Sequence, residues 1–176
     1  MKYIRIIPRL DIKGPNLVKG VHLEGLRVLG KPEVFSKLYY EQGADELFFQ
    51  DTVASLYNRN SLTEIITRTA ENIFIPITVG GGIRHLDDIN NILRAGADKV
   101  SINTAGIKNP DFINEATYFF GSSTIVIAIE AIRQPDGSYQ AFTDNGREPT
   151  GLDVLDWAKE VEQRGAGEII ITSVDR

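Results

Sequence analysis

The sequence predicts an α/β fold in which parallel strands alternate with helices. Two observations carry this. Gly43-Ala44-Asp45-Glu46-Leu47, Gly96-Ala97-Asp98-Lys99-Val100 and Gly165-Ala166-Gly167-Glu168-Ile169 each close a helical segment and open an apolar strand. Each strand then ends in a polar group: Asp51, Asn103 or Thr172. A recurring unit of helix, Gly-Ala, strand and polar tip belongs to a (β/α)8, TIM-type barrel, where the tips gather at one rim and carry the chemistry. A doubly wound open sheet competes with it, but no Gly-x-Gly-x-x-Gly follows the first strand. A closed barrel needs eight units and usually 200 or more residues. With 176 residues and about six strands, the expectation is an incomplete barrel lacking its last quarter.

The elements follow in order. Ile4 to Leu10 is an apolar, β-branched run ending at Asp11, read as the first strand. Ile12 to Gly30 carries Gly14, Pro15, Gly20, Gly25 and Gly30, so it is read as a long, functional loop. Pro32 to Gln42 is read as a helix and Glu46 to Asp51 as strand two. Ser61 to Glu71 has helical spacing at Leu62, Ile65, Ile66 and Ala70, and Ile75 to Gly80 is strand three. Leu86 to Ala95 is helical, Lys99 to Asn103 is strand four, and Pro110 to Phe120 is a helix with Asn109 as its cap. Ser123 to Ala131 is strand five. The turn signal Gln134-Pro135-Asp136-Gly137, between Ile132-Arg133 and Tyr139 to Thr143, predicts a small hairpin on the top face. Leu152 to Arg164 is helical and Glu168 to Thr172 is strand six.

Composition narrows the function classes. The chain is 42% hydrophobic and 24% charged, with no linker or low-complexity segment, so residues 1–176 are expected to form one domain. Net charge is -5 without a basic run, which argues against nucleic acid. The absence of cysteine excludes disulfides and thiolate metal sites and fits a reducing cytoplasm. No apolar run approaches the ~20 residues of a membrane helix, and Met1-Lys2-Tyr3-Ile4-Arg5 lacks a signal-peptide layout. Neither a cofactor nor a metal is expected.

Strand parity then assigns faces. With Asp11 inward, Arg5, Ile7 and Arg9 point in, as do Glu46, Phe48 and Gln50, Lys99, Ser101 and Asn103, Val126, Ala128 and Glu130, and Glu168, Ile170 and Thr172. Arg5, Glu46, Lys99 and Glu168 fall in one bottom layer, where two cations and two anions can neutralise one another. Asp11 and Glu130 fall at opposed strand tips, an arrangement that suits general acid/base work but also occurs in structural networks. Gly80-Gly81-Gly82-Ile83 leaves backbone N–H groups uncovered, either as an anion cradle or as a plain tight turn, and Asn103-Thr104 can reach the same anion. His22 and His85 lack ligand spacing. Trp157 reads as helix packing, and Asp87-Asp88 suits a helix dipole.

Taken together, Arg5-Ile6-Ile7-Pro8 through Asp11, Val18-Lys19-Gly20, Thr78 to Ile83, Ala97 to Thr104 and Arg164 to Ile169 resemble the cyclase subunits of imidazole glycerol phosphate synthase, from histidine biosynthesis. The resemblance runs over essentially the whole chain. It implies a cytoplasmic lyase that takes ammonia from a partner glutaminase docked at the N-terminal face of the barrel. The implied substrate is a phosphoribulosyl-formimino aminoimidazole carboxamide ribotide with a phosphate at each end. The products are imidazole glycerol phosphate and the aminoimidazole carboxamide ribotide. The resemblance puts the acid/base pair on Asp11 and Glu130. It puts one phosphate site on Gly82, Asn103 and Thr104, with Thr172 and Lys19 of a mobile loop beside the substrate. The ammonia gate falls on Arg5, Glu46, Lys99 and Glu168. Lys19 also reads as a solvated loop lysine.

The chain departs from the family in three ways. Glu130 stands where Asp is usual, Arg9 stands where Cys is usual, and the second phosphate site belongs to strands seven and eight. An unpaired buried guanidinium is costly, so Arg9 is expected to pair with Glu130 or Asp51. The competing readings are a non-catalytic truncated barrel that binds phosphate or a partner, and the sister sugar isomerase, which needs no ammonia.

Overall fold

In the computed structural model, residues 3–21, 24–53 and 62–175 are described. His22 and the Ser61 start of the second helix lie outside them. Parallel strands β1 (Arg9–Lys13), β4 (Leu47–Asp51), β5 (Ile77–Gly80), β6 (Lys99–Ile102), β7 (Ile125–Arg133) and β10 (Glu168–Ser173) pair side by side in that order. Helices α1 (Pro32–Glu41), α2 (Thr63–Ala70), α3 (Leu86–Arg94), α5 (Asp111–Phe120) and α6 (Val154–Gln163) lie between them in the chain. This is the α/β architecture of the barrel family.

The repeated Gly-Ala has a common mechanical cause. Gly43, Gly96 and Gly165 take φ of 86°, 114° and 98°, a left-handed conformation that costs glycine little. The N–H of the following Ala44, Ala97 and Ala166 donates back to Tyr39, Ile92 and Val161. Three helices therefore end on the same Schellman lock. The next N–H, of Asp98 or Gly167, donates to Ile77 or Ile125 on the neighbouring strand, and that of Asp45 donates to Ile6 just before β1. Asp45 and Asp98 also accept from the N–H of Ile6 and Ile77. At the third position a Cβ would lie 2.2 Å from the Ser122 carbonyl, so only glycine fits.

The main core sits between the outer face of the sheet and the helices. Leu47, Phe49, Ile77, Val79, Val100, Ile102, Ile125, Ile127 and Ile129 pack there against Ile65, Ile66, Ile89, Ile92, Ile113, Trp157 and Val161. The opposite parity faces inward and is mostly polar, with Thr78, Ser101 and Glu130 buried there beside Phe48.

Several expectations are corrected. The first strand starts at Arg9 rather than Ile4 and runs through Lys13; Ile4, Ile6 and Tyr3 remain exposed. Ile12 to Gly30 is not a loop. Strands β2 (Asn16–Val21) and β3 (Glu24–Gly30) fold back on β1 as an antiparallel ribbon, with Ile12 opposite Leu17 and Lys13 opposite Asn16. Gly14, at φ 57°, makes the two-residue turn. Glycines that exclude a helix do not exclude a twisted ribbon, and Leu17 and Val18 bury enough surface to seat it. The expected small hairpin is a three-strand meander, because β7 continues to Arg133 and β8 (Tyr139–Thr143) pairs with β9 (Glu148–Asp153). Asn103 is followed by a short helix, α4 (Thr104–Lys108), and the cap position of α5 is Pro110, not Asn109.

Phe49 is fully buried at the centre of the main core. Phe49→Ala is expected to cost about 3–5 kcal/mol, read by urea unfolding as a lower midpoint with an unchanged slope.

Candidate active site

At the lower end of the sheet the inward charges form a closed ring. Arg5 donates to Glu46 at 3.1 Å and to Glu168 at 3.2 Å, and Lys99 donates to each of them at 2.9 Å. Glu46 is only 2% exposed, and its other oxygen accepts from the Thr78 hydroxyl. Burial disfavours the Lys99 charge, but bonds to Glu168 and Glu46 outweigh it and raise its pKa. Burial likewise acts against the Glu168 carboxylate, and Lys99 and Arg5 outweigh that to lower its pKa.

At the upper end lies a cavity of about 250 Å³. Arg9, Gly82, Asn103, Thr104, Glu130 and Thr172 line it, joined by Gln50, Asp51, Arg84, Ser101, Lys108, Asp144 and Asn145. Gly81 and Gly82 take φ of 103° and 74° as the chain leaves β5. A Cβ on Gly81 would meet the Asp51 carbonyl at 2.4 Å, so the backbone here approaches its neighbour as only glycine permits. Asp88 accepts from the N–H groups of Arg84 and His85, which fixes the start of α3 beside this turn. Among the described residues, Ser101 Oγ and Asn103 Oδ1 are buried on this wall without hydrogen-bond partners. The Ser101 hydroxyl, free to donate beside a glycine turn, with Lys108 and Arg84 on the same wall, fits a polar, anionic ligand.

Glu130 is 8% exposed and accepts from the Gly146 N–H at 2.9 Å. Burial raises its pKa above the ordinary glutamate range; the Gly146 bond, the Arg9 charge and the Asn103 amide oppose this only in part, and Asp144 adds to it. Such a carboxyl can hold and release a proton nearer neutrality than a solvated one. Asp11 lies on the inner face but does not line the cavity. It stands behind Arg9, whose Nε donates to it at 2.7 Å. The expected partner of Arg9 was Glu130 or Asp51. The ion pair goes instead to Asp11, two residues along the same face of the same strand, because the long side chain curls up its own strand. Lys19, exposed on β2, is not brought to the cavity.

Sequence reasoning missed Arg84, Lys108, Asp144 and Asn145. Asp144-Asn145-Gly146 was a legible turn signal between two strands. Asp144 and Asn145 adopt φ of 54° and 62°, and the Asn145 amide donates to the Thr52 carbonyl, which holds the β8–β9 turn over the cavity.

Parallel strands alternating with helices, with a polar-lined cavity at the strands' C-terminal ends, define an α/β protein of the barrel family. The chain belongs to the histidine biosynthesis protein family, which it matches over residues 5–176. It is 61% identical over all 176 residues to the imidazole glycerol phosphate synthase subunit HisF of Legionella pneumophila, and spans 83% of that relative.

Two outcomes are expected. Lys99→Met leaves Glu46 buried with a weaker partner set and is expected to cost about 3 kcal/mol near pH 7, measured by chemical unfolding. A raised lysine pKa stabilises fully below about 10.4 and fades as pH rises through the folded value. The lowered Glu168 value stabilises above about 4.3 and fades as pH falls through its folded value. The cost of the substitution should therefore shrink at both pH extremes. Glu130→Gln is expected to act oppositely. The raised Glu130 pKa means that the parent loses stability as pH climbs from about 4.3 through the folded value. Unfolding curves between pH 4 and 8 should show the Gln variant gaining on the parent.

Proposed function

We propose that this chain is the cyclase of an imidazole glycerol phosphate synthase. It uses ammonia to convert the phosphoribulosyl-formimino aminoimidazole carboxamide ribotide into imidazole glycerol phosphate and the aminoimidazole carboxamide ribotide. The observation that carries this reading is the 61% identity to a subunit of that name across every residue of the chain. The two ends of the sheet interior support it. In this reading one phosphate of the substrate sits against the Gly81-Gly82 turn, Asn103 and Thr104, with Lys108 and Arg84 adding positive charge. The reacting centre lies between Asp11 and Glu130, and Glu130 carries a proton to or from it. Ammonia enters at the Arg5–Glu46–Lys99–Glu168 ring from a glutaminase docked there. Arg5 is half exposed at that ring, and Tyr3, Ile4 and Ile6, which flank it in the chain, offer apolar surface to such a partner. Lys19 joins the substrate through movement of the β2–β3 ribbon. The reaction belongs in the cytoplasm, where histidine precursors are made. Among the described residues, no helix is long and apolar enough to cross a membrane.

The test is turnover of the ribotide with an ammonium salt, followed by release of both products. Activity is expected only when ammonia is supplied, and Glu130→Gln is expected to lower kcat by about 10²–10⁴. Equal turnover without ammonia would instead favour the sister isomerase. Absence of turnover, together with phosphate binding at the cradle, would favour a non-catalytic binding role.

A further inference from the structure

Arg9 does more than pair with a neighbour. Its Nε donates to Asp11 at 2.7 Å and its Nη1 donates to Thr172 at 3.0 Å, while its guanidinium carbon lies 5.7 Å from the centre of the Phe48 ring. Strands β1 and β10 share no backbone ladder: β10 pairs with β7, and β1 pairs with β2 and β4. Side chains join β10 to β1 and to the segment before it instead, and they do so in step. Arg5 reaches Glu168 at the lower end and Arg9 reaches Thr172 at the upper end, each pair 163 residues apart. Arg9 on β1 and Arg5, four residues earlier in the segment that leads into it, thus meet two residues with the same spacing on β10. The upper rung passes through the group that also grips Asp11.

We propose that Arg9 is a positioning residue: one guanidinium holds the Asp11 carboxylate in place and ties the mouth end of β10 to β1 across the inner face. A planar fork makes both bonds at fixed angles, which an ammonium cannot do. The side chains of Arg9 and Asp11 are only about a quarter exposed, and the ring of Phe48 lies beneath the guanidinium, so this is no loosely held surface pair. Where this rests on the reading of Asp11 as an acid/base group, the loss of Arg9 displaces a reacting group without removing it.

The experiment compares the parent chain with Arg9→Lys, Arg9→Met, Thr172→Val and Asp11→Asn. Amide exchange of residues 170–173 is expected to quicken by about tenfold or more in Arg9→Met, Arg9→Lys and Thr172→Val, with β4 and β5 unchanged. The Arg9 Nε–H resonance is expected to exchange slowly in the parent and quickly in Asp11→Asn. With the ribotide and ammonium, Arg9→Met is expected to lose about 10- to 100-fold in kcat with KM within about twofold, and Arg9→Lys is not expected to rescue it. Unchanged β10 exchange in Thr172→Val and Arg9→Lys overturns the tie, even if Arg9→Met fails to fold. An unaltered Nε–H signal in Asp11→Asn overturns the grip on Asp11. Parent-like kcat in Arg9→Lys or Arg9→Met overturns the positioning role. A parent chain without turnover counts against the cyclase reading alone, and the two exchange measurements still decide the geometry.

Discussion

Glu46 is the constraint on which the interior depends. It is a carboxylate almost sealed from water at the lower end of the sheet's inner face. Such a group is tolerable only if it is paired and hydrogen-bonded. Arg5, Lys99 and Thr78 supply those bonds, Thr78 from β5, Lys99 from β6 and Arg5 from the segment before β1. Satisfying one buried anion therefore ties two neighbouring strands to the segment that leads into β1. Lys99 carries the demand on to Glu168, on β10. Because the ring is neutral as a set, the interior keeps a polar lining without an uncompensated charge.

The upper end follows a different rule. There the two acidic groups occupy unlike environments. Glu130 is buried, faces the cavity and has one backbone donor, so burial sets its proton affinity. Asp11 is held by a fixed cation and stands back from the cavity. Two carboxyl groups treated this unequally are suited to different duties in one proton-transfer sequence. The longer reach of glutamate lets residue 130 contact the turn at Gly146, so the β8–β9 turn is fastened to a buried carboxyl of the cavity wall rather than merely covering it.

Much of this was legible in the chain. The Gly-Ala repeats marked where helices stop, because a left-handed residue followed by a short apolar one is what a Schellman ending requires. Parity placed Arg5, Glu46, Lys99 and Glu168 on one face, because alternation along a strand is strict and the parallel registers keep it in step. The ribbon at residues 16–30 was not legible. Its glycines suppress the helical pattern and leave too few alternating apolar residues to announce strands; Leu17 and Val18 become a signal only once β1 is there to pack on. The short helix at Thr104–Lys108 went unread, and the cap at Asn109 failed, for a similar reason, since a five-residue helix has no period to detect.

The sequence by itself determined the alternation of strand and helix, the helix endings and which side chains share the inner face, since these depend on neighbours in the chain. Only the tertiary structure decided that Arg9 turns to Asp11 and Thr172 rather than to Glu130 or Asp51, that Lys19 stays outside the cavity, and that Asp144 and Asn145 come over its mouth. Those outcomes depend on the distance between strands and on the reach of long side chains, and neither is written in local order along the chain.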